Sequence, residues 1–115
     1  MIKRKGSYSP ERVDNMRAGD GFVTIERLLT PEELYDKGRF YAIMTLENGS
    51  SIGYHVHEGE MESFYVVAGE ADYIDGDETV RLQPGDSTLT RSGEMHSIRS
   101  VGVVPLVLVA QILYK

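Results

Sequence analysis

The chain has 115 residues, 41% hydrophobic and 26% charged, with a net charge of -6. That is enough apolar material for one globular core, and the acidic balance argues against nucleic acid as a partner. No cysteine is present, which excludes disulfides, thiolate metal sites and cysteine nucleophiles. Lys3, Arg4 and Lys5 precede no apolar stretch, so no secretion signal is read and a cytoplasmic location is expected. Ser9 followed by Pro10 predicts a short helix through about Arg17, ended by Asn15 and the glycines at 19 and 21. Thr30, Pro31 and Glu33 in "TPEEL" predict one helical turn closed by a capping box.

Nearly everything else reads as strand. "FVTIERLL" at 22–29 and "RFYAIMTLE" at 39–47 are apolar or alternating and rich in β-formers. Asn48-Gly49 is a turn. Further strands are predicted at 52–57, 62–68, 70–75, 78–82, 87–90 and 96–100, separated by Gly69, Asp75-Gly76-Asp77, Pro84-Gly85-Asp86 and Gly93. Short strands punctuated this often indicate a sandwich or barrel, here a single domain over 1–115. The last segment, 105–114, is apolar on both faces, so one face is expected to line the core and the other to meet a second copy in a homodimer. The apolar run at 103–113, broken by Pro105 and Gln111, is too short to span a membrane.

Nine acids and no Lys or Arg fall between residues 40 and 80. Most read as a solvated face, although the field also attracts cations. Two of the chain's three histidines stand inside this stretch, as "GYHVHEGEMES" at 53–63. Alternate strand residues share a face, so His55 and His57 lie on one side. The loop "EGEM" returns the chain as the next strand and brings Glu62 beside them, at the head of a row continued inward by Phe64 and Val66. A buried carboxylate is costly unless it is paired or binds a metal. Imidazole plus carboxylate suits one divalent metal: manganese, iron, nickel or zinc. His96, after the Gly93 turn, opens another strand and completes a set of four if that strand lies alongside. Glu58 and Glu60 read as a solvated loop.

Residues 49–69 resemble the first motif of the cupin superfamily, G-x5-H-x-H-x4-E-x6-G, with Gly49, His55, His57, Glu62 and Gly69 in place. Residues 85–100 resemble the second, G-x5-P-x-G-x2-H-x3-N, through Gly85, Gly93 and His96. Arg91 stands where the proline is expected and Ser100 where the asparagine is. The resemblance implies an all-β fold, a double-stranded β-helix or jelly-roll barrel with short helical turns near the N-terminus. It also implies one metal held by His55, His57, Glu62 and His96.

Phe64, Met44 and Met95 are candidate pocket residues. Arg91 is placed either to clamp a substrate carboxylate or to balance the acidic surface. Tyr41, Tyr65 and Tyr73 read as packing residues, Tyr54 and Arg99 as outward-facing, and Asp86 as a turn cap. Three functions fit the resemblance. The expected one is a metal-dependent enzyme acting on a small organic acid or other oxygenated metabolite, of decarboxylase or dioxygenase type. The alternatives are a non-catalytic, metal-dependent small-molecule binding or sensing domain, and a sugar isomerase or epimerase.

Overall fold

The computed structural model describes residues 1–115. Ten strands form two antiparallel sheets: β1 Glu11–Asp14, β2 Phe22–Arg27, β3 Gly38–Leu46, β4 Ser51–Val56, β5 Glu60–Ala68, β6 Glu70–Asp75, β7 Glu78–Leu82, β8 Ser87–Thr90, β9 Met95–Val101 and β10 Leu106–Tyr114. One sheet runs β1-β2-β3-β10-β5-β8 and the other β4-β9-β6-β7. The chain changes sheets after β3, β4, β5, β7, β8 and β9, which wraps it into a jelly roll. Gly69 makes the change between β5 and β6. Its φ of +79° is costly for other residues, and a Cβ there would press on the Pro105 carbonyl.

The core follows from strand parity. Phe40, Ala42, Met44 and Leu46 of β3 alternate inward, as do Leu106, Leu108, Ala110 and Ile112 of the neighbouring β10. Phe64 and Val66 of β5, Val23 and Ile25 of β2, and Ile52, Ala71, Tyr73 and Ile98 of the opposing sheet meet them. Each large side chain buried here contributes about 1.5–3 kcal/mol. The outer face of β10 carries Val107, Val109, Gln111 and Leu113, all half-buried within one chain.

Two N-terminal readings diverge. The predicted capping box forms: the Thr30 N–H donates to Glu33 Oε1 and the Glu33 N–H to Thr30 Oγ1. The predicted helix from Ser9 does not form. Glu11–Asp14 instead pair with β2, Val13 opposite Val23, and only Met16–Ala18 make a 3-10 turn. The Ser-Pro signal is local, whereas Val13 packs against the core once it lies on the sheet edge. Tyr65 likewise proves to be a surface residue, 50% exposed on the outer face of β5.

Candidate metal centre

The two sequence motifs are paired elements of the fold. The first supplies β4 and β5 and the second β8 and β9; β4 pairs with β9, and β5 with β8. His55 faces His96 directly in register, and Glu62 faces Thr90. The register shifts between Ile52 and His55, so Ile52, three residues away, also points into the barrel.

His57 Nε2 lies 3.1 Å from both His55 Nε2 and His96 Nε2, which are themselves 3.2 Å apart. Glu62 Oε1 stands 3.0 Å from His57 Nε2 and 3.1 Å from His96 Nε2. All four donor atoms lie within 4.8 Å of one another. His57, Glu62 and His96 are buried, at 3%, 5% and 1% exposure.

The far side of each imidazole is anchored. His55 Nδ1–H donates to the Gly53 carbonyl at 2.6 Å, and His57 Nδ1–H donates to Glu60 Oε2 at 2.8 Å. The Tyr73 and Thr90 hydroxyls sit 2.8 and 3.0 Å from His96 Nδ1. With Nδ1 carrying the proton, the Nε2 of His55 and of His57 presents a bare lone pair. Lone pairs facing one another and a carboxylate repel unless a cation, a proton on His57 or a metal ion, sits among them, so these residues fit a metal. A tetrahedral site would space every donor pair equally. Here five of the six donor pairs lie 3.0–3.2 Å apart and His55 and Glu62 alone lack a close contact, an unequal spacing that does not match a tetrahedral donor set.

Charge in the site follows from these contacts. Burial pushes the Glu62 carboxyl up, but hydrogen bonds with His57 and His96 outweigh it and hold it low. His57 is raised, first by Glu62, against burial, with Glu60 adding to it. Burial lowers His55. Glu60, bonded twice to Arg39 at 2.8 Å, is lowered to about 2. An incoming metal must therefore displace a proton that His57 holds more tightly than an ordinary histidine. Affinity is expected to fall as pH drops through the histidine range, about 8 to 5, with proton release on binding. Calorimetric titration in buffers of different ionisation enthalpy measures this; affinity independent of pH would contradict it.

A cavity of about 170 Å³ opens over these donors, lined by Met44, Phe40, Ile52, Ile25 and Ile112, with Val13 and Met16 from the N-terminal segment and Arg17, Arg27 and Arg39 among its polar residues. Met44, a candidate pocket residue, lies in this lining. Phe64, 1% exposed, lies behind the site with its ring stacked on His96 at 5.3 Å. Arg91 and Met95 are outside the lining. Met95 adjoins His96 on β9 and so faces the other way. Arg91 lies beyond β8 in a separate depression with Glu60, Met61, Ser92 and Lys115. Glu60, read as a solvated loop residue, instead bridges Arg39 and His57. Tyr73 is a packing residue that also supports His96, as its inward parity with Ala71 hints.

A protein-family profile described as Cupin domain matches residues 42–112. A Thermotoga maritima protein named oxalate-binding protein is 42% identical over 113 residues, covering 98% of this chain and 93% of that one. The crystal structure of a predicted oxalate decarboxylase from Thermotoga maritima superposes with a TM-score of 0.96 at 41% identity, covering 100% of both chains. KdgF from Halomonas sp. shares the fold, with a TM-score of 0.79 at 16% identity over 100% of this chain and 94% of that one.

Proposed function

This chain belongs to the cupin family, and on that premise we propose that it captures a small dicarboxylate at a divalent metal held by His55, His57 and His96 through Nε2 and by Glu62 through its carboxylate. The observation that carries this is the convergence of four donors beneath a small cavity lined also by three arginines. The unequal spacing of the donors disfavours tetrahedral zinc and leaves an ion of octahedral habit, such as manganese, as the first to load. When bound, the ion supplies Lewis acidity toward carboxylate oxygens. The apolar lining excludes water around the ligand, and the arginines favour an anion. The relative named oxalate-binding protein makes oxalate the first ligand to try.

Capture is favoured over turnover by the lining itself. Its titratable side chains are His55, His57, Glu62 and three arginines. The first three are metal donors in this reading, and arginine stays charged. Decarboxylation needs a proton delivered to the carbon that loses CO2, and sugar isomerisation needs an acid–base residue; no side chain in the lining is left for either. Decarboxylase-type turnover is the second reading, supported by the likeness to a predicted oxalate decarboxylase.

Manganese-loaded protein titrated with oxalate is expected to bind it and to gain thermal stability, while metal-free protein does neither. Incubation is expected to release no formate or CO2. Formate would replace capture by turnover, and absence of binding would overturn both readings.

A further inference from the structure

Three arginines line the cavity, and two are committed elsewhere. Arg39 donates through Nε and Nη2 to Glu60, both at 2.8 Å. Arg27 donates to Glu11 at 2.7 Å, with its guanidinium 5.2 Å above the Phe40 ring. Arg17 makes neither an ion pair nor a side-chain hydrogen bond, so it is the uncompensated cation of the lining in a chain of net charge -6.

The backbone beneath Arg17 is held in an unusual state. Asn15, Arg17 and Ala18 have φ of 50°, 53° and 61°, in the left-handed region that side chains other than glycine rarely adopt. Such a cluster persists only where the surroundings impose it. Here the Asn15 N–H donates to the Gly21 carbonyl at 2.9 Å and its side-chain amide to the Gly19 carbonyl at 3.1 Å. Met16 packs against the core. Gly53 leaves the space that the Arg17 carbonyl occupies; a Cβ there would overlap it. Gly53 also accepts the hydrogen bond that orients His55. One residue of β4 thus seats the arginine turn and aims a donor imidazole, which ties the position of Arg17 to that of the metal site.

We propose that Arg17 binds the second carboxylate of a dicarboxylate whose first carboxylate lies at the His55, His57, Glu62 and His96 donors, so that it sets the preference for dicarboxylates over monocarboxylates. This rests on the metal-dependent capture proposed above. The guanidinium offers a paired, charge-assisted contact that an acid with one carboxylate cannot use.

The test is calorimetric titration of manganese-loaded wild type, Arg17→Asn and Arg17→Lys with oxalate and with acetate. Asparagine tolerates the left-handed backbone and removes the charge. Arg17→Asn is expected to weaken oxalate binding roughly 10- to 100-fold while weakening acetate binding far less and leaving metal content unchanged. Arg17→Lys is expected to restore part of the loss. Oxalate binding by Arg17→Asn equal to that of wild type would overturn the assignment and leave capture standing. Equal losses for oxalate and acetate would also overturn it, because the residue would then act on the site as a whole. Failure of wild type to bind oxalate would remove capture and the Arg17 assignment together.

Discussion

His57→Ala should leave the protein unable to retain a divalent metal through exhaustive dialysis, while wild type keeps close to one ion per chain. His57 is the hub of the donor set: its Nε2 is within 3.1 Å of His55, His96 and Glu62 alike. Removing it takes away a donor and leaves Glu60 without its imidazole partner. The loss should exceed the roughly 10- to 100-fold that removal of an outer partner costs. Glu60→Gln supplies that smaller comparison, since it weakens the acceptor behind His57 and keeps all four donors. Elemental analysis and competition with a chelating dye read both variants. Full metal retention by His57→Ala would end the case for this centre.

The largest effect on stability is expected from Phe64→Ala. The Phe64 ring is 1% exposed, stacks on His96 with planes 13° apart, and meets Tyr73 edge-on at 6.5 Å. Truncation removes buried area and leaves a cavity between the sheets, at a cost of about 3–5 kcal/mol. That is a large share of the roughly 5–15 kcal/mol that holds a domain together. Urea unfolding should show a lower midpoint at unchanged slope. Metal affinity should fall as well, because the stack that fixes the His96 ring is lost. Phe64→Leu, which keeps most of the volume, should cost much less. A change below about 1 kcal/mol for Phe64→Ala, typical of a loosely packed site, would contradict the packing described here.

Strands bounded by strong turns were the most legible part of the sequence. The predicted spans 70–75, 78–82 and 87–90 match β6, β7 and β8 because Asp75-Gly76-Asp77 and Pro84-Gly85-Asp86 allow little else. The donor set was legible for a related reason. Parity places His55, His57 and Glu62, and the second motif places His96. What the sequence hid lies between elements remote in the chain. Arg39 on β3 reaches Glu60 on β5 across β10, which sits between them in the sheet. No local pattern reveals that order, so Glu60 read as one more acid on a solvated loop. The strand at Glu11–Asp14 and the turn that carries Arg17 were hidden for the same reason, since pairing with β2 and the gap at Gly53 decide both.

The anchors behind the three imidazoles have a further consequence. The Gly53 carbonyl, Glu60 and the Tyr73–Thr90 hydroxyls orient the rings through the protein's own bonds, and the 17 side chains of the hydrophobic cluster include none of the donors. The apolar core therefore does not depend on the donors, and loading asks an incoming metal to shed water and to displace the proton on His57. Occupancy then tracks the free metal around the protein, and loading raises stability by mass action alone. A domain built this way is expected to exchange a bound ion with the surrounding pool while remaining folded.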